Sequence, residues 1–467
     1  MGLTAALCLA IVAQVPTSMT FASAGALEGR PATTALSPLQ ARIDAAAPGS
    51  VIDVPPGTYE GDLFVDRPVS LIGRGRPTLV GSGTGSVILV RAAGVVIDGF
   101  EIDARLGGSL DRDSSGIHVA APRVTIRDVR IANALFGVYL READGAVVER
   151  VAIHGVPGKP PGEQGSGLHV YNTQAFRLVA NDVRDMRDGI YIQSSNGGIV
   201  QKNSAVRLRY GLHYMYSDDN VFEDNLFEDG AAGAAIMYSK RVAFRRNRFL
   251  RNRGFASVGL LLKDCESLVA EDNVIADNAR GLFVEGSIDN IFRRNLIAVS
   301  DVGLVLFASN QRNVFEGNAF LANRSPLELV GRRTDTRFDG NYWSEADEPD
   351  LDGDGIRDRP YRMSSVFDHF RGNFTAAELF ARGPAARALG VAERAFPVLS
   401  ITEVQDRRPL VRVPDFSAAF SGARLTNQAA LQQHPAGAGL AMSATSVAFG
   451  LGVLVWGRRR RGGGLSA

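Results

Sequence analysis

The sequence predicts an all-β fold, a parallel β-helix built of coils about 22 residues long, and three observations carry that reading. A Gly-apolar-X-apolar unit recurs, with copies beginning at Gly116, Gly137, Gly167, Gly189, Gly211, Gly233, Gly259, Gly281 and Gly303. A second ladder keeps the same step: Asn181, Asn203, Asn225, Asn247, Asn273, Asn295, Asn318 and Asn341 each precede a short apolar run. Asparagine tolerates the left-handed turn conformation and bonds its own backbone, so an Asn column suits the corner of a solenoid. The coil is also too short to hold a helix beside three strands of four to six residues, which leaves strands alone.

Side chains alternate along a strand, so each unit splits into an inward and an outward set. The inward ladder contains Ile117/Val119, Val138/Leu140, Leu168/Val170, Ile190/Ile192, Leu212/Tyr214, Leu260/Leu262, Leu282/Val284 and Leu304/Leu306, and forms the expected core. The outward ladder reads His118, Tyr139, His169, Tyr191, His213 and Ala235 at the second position after the glycine. At the fourth position it reads Tyr171, Gln193, Met215 and Met237 across the central coils. Strands of successive coils lie just under about 5 Å apart, so Met215 and Met237, each followed by Tyr-Ser, are expected to stack with His213 beside Met215 on an exposed strand face.

Taken in chain order, residues 2–15 are almost wholly apolar and Phe21-Ala-Ser-Ala24 offers a small-residue cleavage site, so residues 1–24 read as an export signal, although its positive flank is missing. Its removal would take Cys8 and leave Cys265 alone, without an intrachain disulfide partner. Ser37-Pro38, with Leu39 and Ile43 following, reads as a short capping helix at the open end of the solenoid. The β-helix is expected over residues 37–345, with one long insertion, 156–165, suited to binding. Residues 346–433 read as a C-terminal capping or partner-binding region. Residues 436–456 carry no charge and lead into Arg458–Arg461, the pattern of a membrane anchor with a cytoplasmic basic flank. A net charge of +1 gives no argument for nucleic acid, and a 45% hydrophobic share is enough for a large core.

Two patterns point to metals. Thioether and imidazole donors suit a polarisable ion, so His213, Met215 and Met237, with His169 one or two coils below, form a candidate Cu(I) site; an exposed Met pair is also a common partner-binding patch. Asp350, Asp352, Asp354 and Asp358 fall at positions 1, 3, 5 and 9 of a calcium loop, with Gly355 at position 6. The twelfth position is Tyr361 rather than Glu, so Ca2+ binding and a ligand-free Asx-turn are both open. Two further readings compete with copper. A polysaccharide lyase, epimerase or carbohydrate-binding β-helix would need carboxylates on the outward face, where the central coils offer Glu285; Asp218 and Asp219, in the turn after Ser217, and Asp188 are the other acids nearby. A docking solenoid would use the outward apolar residues Leu261, Phe283, Val305 and Phe307, unless the tail covers them.

Leu208-Arg-Tyr-Gly-Leu-His-Tyr-Met-Tyr-Ser217, Met237-Tyr-Ser, Gly340-Asn-Tyr-Trp, the Asp350–Tyr361 stretch and Asp406-Arg-Arg-Pro-Leu410 resemble the NosD family of nitrous oxide reductase maturation proteins, over about residues 41–414. The resemblance implies a right-handed β-helix in the periplasm that is not an enzyme. It implies work with an ABC transporter of ATPase and membrane subunits, receipt of copper from a small lipoprotein chaperone, and delivery to nitrous oxide reductase. The choice of His213, Met215 and Met237 rests on spacing, and a charge-free 436–456 segment departs from the family pattern. No Walker loop is present, so the energy for transfer would come from a partner.

Overall fold

The computed structural model describes residues 37–362 and 404–416, apart from 106–109, 111, 112, 157, 255 and 332. The expected export signal, residues 363–403 of the C-terminal region and the expected 436–456 anchor lie outside the described residues. Among the described residues no helix is long and apolar enough to cross a membrane. The chain divides into two compact units, Met1–Ala243 with Lys263–Cys265, and Phe244–Leu262 with Glu266–Ala467.

The first unit opens with the expected helix, Pro38–Ala45, whose N-cap Ser37 accepts from Gln40 N at 3.1 Å. Leu39 and Ile43 are buried. The Gln40 amide accepts from Phe64 N at 2.8 Å and donates to Phe64 O at 3.0 Å, so one side chain supplies the bonds a neighbouring strand would make to the first coil. Each coil then holds three strands, as in Ile199–Gln201, Ser204–Val206 and Tyr210–Met215. All three pair in parallel with the next coil, through Ile199↔Val221, Ser204↔Leu226 and Tyr210↔Ala232.

Corners are turned by residues at positive φ, among them Lys202, Arg207, Tyr216 and Asp219. Opposite charges stack along these corners: Arg207 grips Asp185 at 2.7 and 2.6 Å, and Arg241 grips Asp219 at 2.7 and 2.8 Å. Exposed pairs of this kind add little stability, but alternating sign opposes a one-coil slip of the register. The glycine column has a separate cause. A Cβ on Gly211 would lie 2.6 Å from the carbonyl oxygen of Gly233, and one on Gly189 would lie 2.6 Å from that of Gly211, so the backbones approach too closely for any side chain.

The Asn ladder is present, with a different physical basis from the one expected. The left-handed residue is the one before each Asn, such as Ala180, Lys202 and Asp224. The asparagines themselves point inward and bond one another: Asn181 Nδ2 donates to Asn203 Oδ1 at 2.9 Å, and Asn203 Nδ2 donates to Asn225 Oδ1 at 3.0 Å. Each Oδ1 also accepts the backbone N–H of the preceding Asn, so the buried amides are satisfied as a continuous column. The inward Tyr214 is handled similarly, its hydroxyl donating to Ser217 O and accepting from Asn220 Nδ2, both at 2.6 Å.

In the second unit the same plan continues through Arg280–Glu285, Val302–Phe307 and Ser325–Val330. Its core is aromatic, with Phe292 on Phe315 at 4.3 Å and Phe320 on Trp343 at 4.1 Å. The outward residues Leu261, Phe283 and Val305 are buried. Within this unit Asn247, Asn273, Asn295, Asn318 and Asn341 form an amide ladder that ends on Asp406. Gln405–Asp406 pairs in parallel with Phe338 and antiparallel with Tyr361–Arg362. Phe416 returns onto Val274, Leu296 and Ala319, so part of the C-terminal region covers the outside of the coils.

Candidate metal centre

The centre lies in the first unit, where Tyr210–Met215 runs between Asp188–Gln193 and Ala232–Met237. Tyr214 and Ile236 fill the core with no exposure, which turns the flanking Met215 and Met237 outward. Register sets Met215 directly opposite Met237, as the spacing predicted. Met215 is half-buried and Met237 is buried. Each methionine ends its strand at a corner, and the corner tyrosines, Tyr216 and Tyr238, stack with ring centroids 5.1 Å apart while remaining 55% and 41% exposed.

His213 faces outward beside this pair, but it is not exposed: only 6% of its surface meets solvent. The expectation of an exposed imidazole fails because the outward column is itself a packed stack of rings. Tyr191 and Tyr210 meet the His213 ring edge-on, with centroids 4.9 and 5.0 Å away. His213 Nδ1 lies 3.6 Å from Asp188 Oδ2, longer than a hydrogen bond, and Nε2 has no hydrogen-bond partner. Burial lowers the His213 pKa against the opposing pull of Asp188, so the ring is neutral near pH 7 and carries a free lone pair.

His169 does not join the group. It is sandwiched between Tyr139 at 4.2 Å and Tyr191 at 4.3 Å, and Tyr191 stands between it and His213 in the register. Two coil steps put it roughly 10 Å from His213. Burial pushes its pKa down to about 3, and that of His118, at the far end of the stack, down to about 4.

Sequence reasoning named Asp188 as a nearby acid and missed what surrounds it. Asp188 opens its strand, is fully buried, and is gripped by Arg209 at 2.9 and 2.7 Å and by Arg187 at 3.2 Å. Burial pushes its carboxyl up, but His213 and the guanidinium of Arg209 together hold it well below the usual carboxylate range. Arg209 also sits over the Tyr210 ring at 4.5 Å. The legible signal was the spacing of Asp188 and Arg209, one coil apart at the head of successive strands. Cys265 occupies a slot that Ser195, Ser217 and Ser239 fill in neighbouring coils. Its thiol donates to Ile236 O at 3.4 Å, and burial pushes its pKa up to about 12, so it is a structural residue rather than a ligand.

The acidic loop belongs to the second unit. Ligand atoms of Asp350, Asp352 and Asp354 lie within 4.8 Å of one another, close enough to share a cation. Asp358 is placed apart from them, its Oδ2 accepting from Leu351 N at 2.7 Å. The same loop is laced by Asx-type bonds, Gly353 N and Gly355 N donating to Asp350 and Ile356 N to Asp354. Tyr361 stacks on Trp343 at 5.3 Å and gives the loop no twelfth ligand.

A family model described as "Periplasmic copper-binding protein (NosD)" matches residues 149–350, a span that includes every residue of the centre. The probable ABC transporter binding protein NosD of Pseudomonas aeruginosa is 30% identical over 376 residues, covering 77% of this chain and 87% of that protein. Its namesake in Stutzerimonas stutzeri is 28% identical over 383 residues, covering 77% and 86%. Among solved structures, the A-module of a mannuronan C-5 epimerase from Azotobacter vinelandii superposes with a TM-score of 0.56 at 16% identity, covering 66% of this chain and 94% of that one. A thermostable α-1,3-glucanase from Streptomyces thermodiastaticus gives 0.52 at 16% identity, covering 69% and 70%. At such identities these two likenesses concern the fold alone. With relatives matched along three quarters of its length, the chain belongs to the NosD family.

Proposed function

We propose that this protein carries Cu(I) as cargo on Met215, Met237 and His213 and hands it on, with an ABC transporter, during assembly of the copper sites of nitrous oxide reductase. The observation that carries the reading is the register: Met215 stands opposite Met237, with the unpartnered Nε2 of His213 on the same outward face. Two thioethers and a neutral imidazole make a soft donor set, and the half-buried Met215 leaves the ion a route in and out. The names of the relatives support both the copper and the transporter parts of the reading.

In this reading the donor is a small copper-chaperone lipoprotein, and the ATPase and membrane subunits of the transporter supply the energy that directs release. The protein works in the periplasm, held to the inner membrane by 436–456. In this reading it is not an enzyme: beside His213, Asp188 is buried under two arginines and has no free side for general acid or base work. The Asp350–Asp354 loop is a weak Ca2+ site that staples the end of the second unit.

Competition against a colorimetric Cu(I) chelator tests the reading. One equivalent of Cu(I) bound by the full chain and lost in Met215→Leu/Met237→Leu supports it. A wild-type protein that takes no Cu(I), or one whose affinity is untouched in the double variant, overturns it.

A further inference from the structure

Asp188 does more in this arrangement than balance two arginines. It stands at the head of its strand, opposite Tyr210 in register, with no exposure, and its Oδ2 is the polar atom that faces His213 Nδ1 at 3.6 Å. Arg209 Nε and Nη2 and Arg187 Nε fix the carboxylate, so it cannot turn toward solvent. The edge-on rings of Tyr191 and Tyr210 hold the imidazole in place. Both nitrogens of His213 are buried without a hydrogen bond. Leaving such groups unmet carries a desolvation penalty, and a ring kept in that state is one whose bonds are completed at another moment.

A neutral imidazole carries its proton on one nitrogen and its lone pair on the other. A fixed carboxylate opposite Nδ1 favours the Nδ1–H form, which puts the lone pair on Nε2. We propose that Asp188 is the positioning residue of the copper centre, fixing the tautomer and orientation of His213 so that Nε2 meets Cu(I) held by Met215 and Met237. The inference rests on the copper reading above. Binding of the ion should draw the Asp188–His213 contact in to about 2.8 Å, the length of a charge-assisted bond.

The test uses full-length protein loaded with Cu(I) without oxygen, comparing wild type, Asp188→Asn, Asp188→Glu and Met215→Leu/Met237→Leu. X-ray absorption at the copper edge reports the ligands and chelator competition reports the affinity. Asparagine has a single acceptor oxygen, which Arg209 would claim, so its amide N–H would face Nδ1 and favour the wrong tautomer. The expected result is two sulfur scatterers and one imidazole nitrogen in wild type. In Asp188→Asn the nitrogen is lost and affinity falls by about 10- to 100-fold, and Asp188→Glu recovers both. A purely structural Asp188 would lower stability and leave the copper ligands unchanged. Asp188→Asn with unchanged nitrogen and affinity overturns the positioning role while the copper reading stands; a wild-type affinity indifferent to the Met double variant overturns both. If Asp188→Asn does not fold, nitrogen-15 NMR of copper-free wild type decides, because Nε2–H on His213 would overturn the proposal and Nδ1–H would support it.

Discussion

Asn341 donates from Nδ2 to Asp406 Oδ2 at 2.9 Å, so the buried amide column of the second unit ends on a carboxylate brought from 65 residues away in sequence. The same carboxylate accepts from Asn341 N at 2.9 Å, Gly340 N at 3.1 Å and Trp343 Nε1 at 3.1 Å. Asp406→Ala strands these donors without an acceptor and should destabilise the second unit by about 3–5 kcal/mol. Asp406→Asn, which keeps one oxygen, should cost less. Urea unfolding followed by tryptophan fluorescence measures both, since Trp343 is itself one of the donors.

The methionines can be changed without disturbing the fold. Met→Leu conserves volume, so Met215→Leu and Met237→Leu should each shift stability by less than about 1.5 kcal/mol. Each single change should weaken Cu(I) by at least about tenfold, because one of two thioethers is gone. A thermal scan read beside chelator competition separates the two effects. Equal losses in stability and affinity would count against the soft centre.

The stacked histidines predict acid sensitivity of known sign. Burial, with Arg141 and Arg91 adding to it, lowers the His118 pKa to about 4 from an unfolded value near 6.5. The unfolded chain therefore binds the proton first as pH falls. The contribution is fully present above about pH 6.5 and is lost progressively toward pH 4, up to a limit of about 3 kcal/mol. His118→Phe keeps a ring against Tyr139 and removes the titration, so its stability should fall less between pH 7 and pH 4.5 than that of wild type. Denaturant midpoints at the two pH values provide the check.

Gly211→Ala tests the close approach of the coils. Its Cβ would press on Gly233 O at 2.6 Å and on the Phe227 ring at 2.8 Å, and both neighbours are fixed. A loss of about 1–3 kcal/mol is expected, seen as a lower thermal midpoint. Gly158→Ala would make a poor control because its φ is +77°. Gly162→Ala, with open space around it and an ordinary φ, should be nearly neutral.

Calcium should bind the acidic loop weakly, at about 0.1–1 mM in the manner of extracellular modules, because three carboxylates converge without a bidentate twelfth ligand. Isothermal titration against Asp350→Asn/Asp354→Asn checks this. Equal heats from both proteins would mean that the Asx bonds alone shape the loop.

The fold was legible because its determinants are periodic. A glycine forced by backbone approach, an amide that must meet its copy one coil on, and an apolar pair facing inward all repeat at one step, and the register of Met215 on Met237 follows from that step alone. What escaped were properties of depth. His213 and Met237 alternate outward, which one strand reads as exposure, yet both are buried, His213 by the rings of Tyr191 and Tyr210. The setting of Asp188 was hidden because its main partner, Arg209, lies a coil away in sequence. His169 shares the His213 column, but the sequence does not show that Tyr191 fills the gap between them.

The antiparallel clasp of Tyr361–Arg362 with Gln405–Asp406 has an evolutionary consequence. Arg362 pairs directly with Gln405, so the number of residues between them is almost free of the coils' geometry. Each doubling of such an excursion costs only about 0.6 kcal/mol in closure entropy. The length of chain between these two residues can therefore change at little cost while the Asn341–Asp406 terminus stays as it is.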